Sequence, residues 1–292
     1  MHGINVMLIE RVSTGIPMLD RILGGGFIRG KTYLITGETG VGKTIMSLQF
    51  LMDGLQKGED VAYVSLDERI SAVLDGALTL GWDFWSYYKA GHFYPFEIRI
   101  YSEDLGKYRK DSKAYIDTIV KMTRGGKVSR IVLDPISAMA FGAGDEFAVR
   151  EYIREIILFL EERIGATTVI TCDIPTGSNK LSRFGYEEYL SSGVIVIGLV
   201  RVGGRLIRTL YVRKMRWSPA DSTIYTFEII RNKGISIGPP LRVLELRNLG
   251  AQASILSGYR YSPETERTVK DTQEFGDFSV KNVKDSTDVN LP

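Results

Sequence analysis

Hydrophobic positions along this chain follow two periods, and their succession predicts the architecture. Residues 31–36 form an apolar run of strand length, and Ile45, Leu48, Met52 and Leu55 after it recur at the spacing of one helical face. The same pairing returns downstream. Strand-like runs at 60–66, 97–101, 128–133 and 167–172 are separated by helical patterns at 70–80, 114–124 and 147–163, the last with Ile153, Ile156, Ile157 and Leu160 inward. Apolar strands alternating with helices make a mainly parallel sheet covered on both faces, so the predicted fold class is α/β.

From residue 194 the period stays at two. Runs at 194–202 and 205–213 flank Gly203-Gly204, a hairpin signal, and 223–231 continues to a turn at Asn232-Lys233-Gly234. These antiparallel strands are expected to widen the sheet rather than to found a second domain. Pro239-Pro240 and the end of the apolar run near Leu246 set the expected limit of a domain over 1–246. Residues 247–292 lose periodicity and are rich in Ser, Thr, Asp, Glu and Lys, a composition that cannot bury enough apolar surface to order itself. They are predicted to form a low-order C-terminal tail. Docking of its Tyr259, Tyr261, Phe275 and Phe278 on a neighbouring subunit or partner is the alternative.

Composition narrows the class. With 292 residues and 44% hydrophobic content, the chain can bury one large core or two modest ones. A formal charge of +2 gives no overall attraction to polyanions, so any nucleic-acid contact must be local. Cys172 is the one cysteine, which excludes an internal disulfide, and with only His2 and His92 beside it a structural zinc site is not expected. Cys172 itself reads as a small apolar residue at a buried strand end. The N-terminus lacks a charged segment leading into a long apolar one, and no apolar run approaches a membrane span. A cytoplasmic protein without membrane contact is expected.

The chemistry enters between the first strand and the first helix. Gly37-Glu38-Thr39-Gly40-Val41-Gly42-Lys43-Thr44 spells G-x-x-x-x-G-K-[ST], in the strand-to-helix setting where that motif has physical meaning. Glycines let successive N–H groups point into one concavity, and the helix beginning near Lys43 adds its positive dipole end. Lys43 can reach the β- and γ-phosphates, and the Thr44 hydroxyl can ligate Mg²⁺. These eight residues and Ile45 are the candidate contacts of a nucleoside triphosphate, with ATP and Mg²⁺ the expected cofactors.

Two further acidic sites follow. Arg130-Ile131-Val132-Leu133-Asp134 is an apolar strand ending in a carboxylate, which would lie at the sheet edge beside the P-loop and hold Mg²⁺ through water. Ser65-Leu66-Asp67-Glu68 follows another such strand, and a carboxylate here could polarise the water that attacks the γ-phosphate. Ser65-x-x-Glu68 equally matches a capping box opening the helix at Ile70, in which Glu68 would satisfy a backbone N–H.

Several stretches together resemble the KaiC family of RecA-like ATPases, single-lobe archaeal members in particular. They are residues 13–20, Gly24-Gly25-Gly26-Phe27, the P-loop, Gly81-Trp82-Asp83, the strand ending in Asp134, residues 165–171, Arg183-Phe184-Gly185-Tyr186-Glu187-Glu188-Tyr189 and Lys214-Met215-Arg216. The resemblance implies a RecA-like core that assembles as a ring of identical subunits, usually a hexamer, with ATP at each subunit boundary. It implies an acidic pair that activates water, here Asp67-Glu68 where the family often shows two glutamates, so Glu68 is the base and Asp67 its helper. It also implies a basic pair, Lys214 and Arg216, reaching the neighbour's γ-phosphate. Without the resemblance those cations read equally well as the solvated end of a strand. The clock function of double-lobed relatives does not carry over, because their phosphorylated residues lie in a second lobe.

Three functions are compatible with these residues. The first is an ATP-hydrolysing ring coupled to regulation of an unidentified protein partner. The second is an ATP-gated assembly switch with negligible hydrolysis. The third is a recombinase-like modulator acting on DNA through the 137–146 and 174–186 loops, where Lys180 and Arg183 supply charge without interleaved aromatics, so weak or no nucleic-acid binding is expected.

Overall fold

The computed structural model describes residues 9–98, 120–121, 128–140, 146–178, 180–202 and 204–242, all within a compact unit that ends at Glu245. The 247–292 segment, Gly203 of the expected hairpin turn, residues 141–145 of the first loop, the end of the strand expected at 97–101, and the helix expected over 114–124, apart from helical Val120 and Lys121, lie outside the described residues.

A small ladder of β1 (Arg11–Val12) and β2 (Phe27–Ile28), with α1 (Pro17–Ile22) between, precedes the main sheet. Then follow β3 (Thr32–Gly37), α2 (Lys43–Gln56), β4 (Val61–Ser65), α3 (Ile70–Thr79), α4 (Phe84–Ala90), β5 (Phe93–Glu97) and β6 (Arg130–Asp134). A 3-10 turn (Ile136–Ala140) leads to α5 (Glu146–Phe159), whose end unwinds into a π-helical turn (Leu160–Ile164). The chain continues through β7 (Thr167–Asp173), α6 (Glu187–Leu190), β8 (Gly193–Val202), β9 (Arg205–Met215), β10 (Tyr225–Ile230) and β11 (Gly234–Pro240).

Nine described strands form one sheet in the order β11-β10-β9-β8-β3-β7-β6-β4-β5. The six from β8 to β5 are parallel, and β9, β10 and β11 extend the sheet antiparallel beyond β8, which is the expected widening. The strand expected at 97–101 instead runs over Phe93–Glu97. Its Pro95 argues against a strand in sequence, but among the described residues β5 pairs only with β4, and an edge strand tolerates a missing N–H.

Successive residues of each central strand enter opposite cores. Tyr33, Ile35, Tyr63, Val132 and Val169 pack on one face with α2, while Leu34, Val64, Ile131, Leu133 and Ile170 pack on the other with α5. Both faces of the strands are therefore apolar, which leaves the strand ends as the place for polar chemistry. Arg130, the largest fully buried side chain, fixes the start of β6 by a two-pronged pair with Glu59 at 2.8 and 2.9 Å, an ion pair with Asp53 at 3.0 Å and a bond to the Phe50 carbonyl at 2.8 Å. No described helix is long and apolar enough to cross a membrane.

Candidate functional site

The turn from β3 into α2 is shaped by close backbone approach. A Cβ on Gly37 would lie 2.1 Å from the Ile197 carbonyl oxygen of β8, and Gly42, which precedes the first residue of α2, adopts φ of 114°. The turn opens onto a cavity of about 450 Å³ lined by Thr39, Gly40, Gly42, Lys43, Thr44 and Ile45. Gly37, Glu38 and Val41 do not line it. The Val41 side chain is in the core, and the Glu38 carboxylate accepts from Gly177 N at 2.8 Å, tying the loop after β7 to the P-loop. Lys43 is nearly buried. Its ammonium donates to the carbonyls of Gly37 at 2.9 Å and Glu38 at 2.7 Å and pairs with Asp173 at 2.6 Å.

Strand register brings the acids into one row. Gly37 stands opposite Asp173, and Ser65 stands opposite both Asp134 and Glu97, so the carboxyl ends of β3, β7, β6, β4 and β5 share one edge of the sheet. This is the edge at which open α/β sheets take their ligands. Asp134 is buried, and its carboxylate accepts from Tyr63 Oη at 2.8 Å, from Thr171 Oγ1 and from Thr44. Burial pushes its pKa up, and the three hydroxyl donors oppose that shift. Glu68 lines the same cavity beside Asp67, with its pKa raised by burial and then by the charges of Asp134, Asp67 and Asp173. The capping box is not formed: Ser65 Oγ donates to the Glu68 main-chain carbonyl at 2.5 Å, the Ile70 N–H goes to Glu97 at 3.0 Å, and Arg69 occupies the cap position.

This donor set suits a triphosphate with a hard cation. The P-loop amides form an open cradle, with nothing within 4 Å of a Cβ built on Gly40, and the oxygens of Thr44 and Asp134 are those Mg²⁺ favours. Among the described residues no group of three or more His, Cys, Asp or Glu side chains could hold a metal alone, so an ion here would be shared with phosphates. A family model for the KaiC ATPase matches residues 12–242. The chain belongs to the KaiC family of ATPases. It is 31% identical over 254 residues to the circadian clock protein KaiC3 of Synechocystis, covering 86% of this chain and 50% of that protein, so it spans half the length of that relative. It is also 31% identical over 245 residues to a UPF0273 protein of Pyrococcus furiosus, covering 80% of this chain and 95% of that one. The crystal structure of a KaiC-like protein from Pyrococcus horikoshii superposes with a TM-score of 0.69 at 33% identity, covering 79% of this chain and all of that chain. A KaiC-like, P-loop, ATP-binding fold with a mainly parallel sheet and antiparallel C-terminal strands is thereby established.

The remaining two residues singled out in the sequence lie elsewhere. Lys214 and Arg216 stand at the opposite edge of the KaiC-type sheet, where Met215 is level with Gly193 and Gly193 with Tyr33. Gly37 is four residues further along β3, about 13 Å at a rise of about 3.3 Å per residue. Lys214 donates to the carbonyls of Glu188 at 2.8 Å, Tyr189 at 3.2 Å and Ser191 at 2.7 Å, and Arg216 donates to that of Tyr189 at 2.9 Å. They cap α6 and do not meet their own chain's cavity.

Four polar residues in or behind the cavity wall were not read from sequence. Asp173 ends an apolar strand in the same way as Asp134, and that pattern could have found it. Tyr63 and Thr171, the donors on Asp134, sit on strand interiors where nothing in the alternation sets them apart. Arg208 of β9 lines the cavity with a buried Nε that has no hydrogen-bond partner; only the tertiary pairing of β8, β9 and β10 brings it there.

Proposed function

We propose that this chain hydrolyses Mg-ATP to ADP and phosphate at sites shared between copies of itself, with residues 1–246 as the ATPase domain, working in the cytoplasm. The observation that carries the reading is the placing of the Glu68 carboxylate, unused in helix capping, in one cavity with Lys43 and buried Asp134. Lys43 would exchange Asp173 and its carbonyls for the β- and γ-phosphates, while the P-loop amides hold the remaining oxygens. Thr44, and Asp134 through water, would hold Mg²⁺, which supplies neutralisation of phosphate charge. Glu68 is the base that takes the proton of the attacking water, and Asp67 helps by strengthening its hold on that proton.

Charge developing on the transferred phosphoryl group calls for cations, and the reading assigns that role to Lys214 and Arg216 of another copy, since they do not meet their own chain's cavity. Head-to-tail contact of this kind closes into a ring, for which six subunits are proposed, coupled to a protein partner. One observation favours a second reading, an ATP-gated assembly switch: the Lys214 and Arg216 donors are directed to carbonyls of their own chain. Nucleotide binding and turnover of Glu68→Gln and Lys43→Ala separate the two. Hydrolysis requires that Glu68→Gln bind ATP and stall, and that Lys43→Ala lose binding. Parental turnover no faster than that of Lys43→Ala would leave the switch.

A further inference from the structure

We infer that Trp217 anchors a second copy of this chain, its indole covering the apolar end of that copy's nucleotide cavity; the inference rests on the head-to-tail reading above. Trp217 follows Arg216 directly, in the turn that leaves β9, and is 83% exposed, more than any other large hydrophobic residue among those described. Its φ is 59°, in the left-handed region that bulky L residues rarely enter.

Neither the exposure nor the backbone conformation comes from a loose turn. Arg216 N donates to the Ser192 carbonyl at 2.8 Å, Ser218 Oγ donates to the Leu23 carbonyl at 2.8 Å and accepts from Arg11 at 3.0 Å, and Asp221 N donates to the Ile22 carbonyl at 3.2 Å. The chain is held on both sides of Trp217 and the indole is presented outward. Tyr189, 69% exposed, offers a second ring beside the same two cations, which donate to its carbonyl. Rigid exposed aromatics with adjoining arginine are what interface centres are built from.

Charge complementarity names the occupant. The edge carrying Trp217 holds Lys214 and Arg216, which donate to main-chain carbonyls rather than to carboxylates. The other edge presents four carboxylates, Asp67, Glu68, Asp134 and Asp173, around one cavity against two cations, Lys43 and Arg208. Copies meeting edge to edge bring cations onto an acidic, phosphate-binding surface. There the ring one residue beyond Arg216 meets the apolar wall formed by Ile45 and Ile229.

The test follows association and Trp217 accessibility together, with Mg-ATP as the probe. Sedimentation gives the assembly state, and acrylamide quenching of the parent minus that of Trp217→Phe isolates this indole. The expected result is loss of quenching at Trp217 on assembly. Trp217→Gly should raise the concentration for half-assembly roughly tenfold or more without lowering the melting temperature of the unassembled chain, because glycine suits the backbone there, and Trp217→Phe should retain assembly. Assembly with Trp217 quenched as in the free chain, or Trp217→Gly assembling at parental concentration, overturns the inference alone. A parent that stays monomeric in Mg-ATP overturns the head-to-tail reading with it.

Discussion

The two edges of this sheet are built on opposite plans. At the carboxyl ends of the parallel strands, polar groups from several elements meet around one cavity: Lys43 on Asp173, Thr44, Tyr63 and Thr171 on Asp134, and Glu68 among three other carboxylates. At the opposite edge Lys214 and Arg216 lean on the carbonyls of α6, and Trp217 projects. The first edge is rich in anions and in amide donors but has few cations for a transferring phosphate; the second has cations and no phosphate cradle. On the head-to-tail reading proposed above, such a site works only when two copies meet, and assembly and chemistry become one event.

The largest effect expected is on the acidic edge. Glu68→Gln should lower turnover by about 10²–10⁴-fold with ATP affinity kept, measured as phosphate release beside nucleotide binding; unchanged turnover would remove Glu68 as the base. On the basic edge, Arg216→Ala should cost about 10²–10³-fold in turnover of the assembled protein while single chains bind ATP as the parent does. If Arg216→Ala weakens ATP binding to isolated chains, the separation of the edges is wrong.

The pH profile of turnover should show both edges. Burial and the charges of Asp134, Asp67 and Asp173 hold the Glu68 proton more tightly than usual, so the acid limb should be shifted upward from that of an ordinary glutamate. Asp67→Asn should move that limb to lower pH. In stability, Glu68 contributes most below the ordinary glutamate pKa, and the contribution is lost as pH rises through the raised value. Burial, then the charge of Arg216, brings Lys214 down to about 8. A phosphate beside Lys214 on assembly raises that value, so a basic limb of turnover should lie above it and vanish in Lys214→Arg, whose guanidinium stays charged. Lys214 contributes to stability above the ordinary lysine range, and this is lost as pH falls through about 8. The smallest effect concerns the fold: Trp217→Gly relieves about 1 kcal/mol of backbone strain, less the freedom glycine gives the unfolded chain. The Tm should stay level or rise by up to about 4 °C.

These edges were unequally legible in the sequence. The P-loop and α2 are local, since glycine spacing and helical periodicity both lie within 31–56, and β3 and α2 occur where the pattern puts them. Asp134 could be read from a strand ending in acid, and the antiparallel run from 194 onward from its alternation. What could not be read depends on neighbours distant in sequence. Tyr63 meets Asp134 only because β4 and β6 pair, and Arg208 reaches the cavity only because β9 lies next to β8. The capping role open to Glu68 in the sequence is removed by Glu97, which takes the Ile70 N–H from the neighbouring strand. Helix α4 carries little sequence signal, because Asp83, which caps it by accepting from Ser86 N at 3.1 Å, opens a stretch dense in aromatics with no clear apolar stripe.

The division of the site between copies is tested most directly by mixing two variants that are each inactive. Glu68→Gln keeps an intact basic edge, and the Lys214→Ala, Arg216→Ala double variant keeps an intact acidic edge. Combined in equal amounts with Mg-ATP, random head-to-tail assembly should restore about a quarter of the parental phosphate release, the fraction of junctions joining two intact edges. A mixture no more active than the sum of its parts would contradict the account.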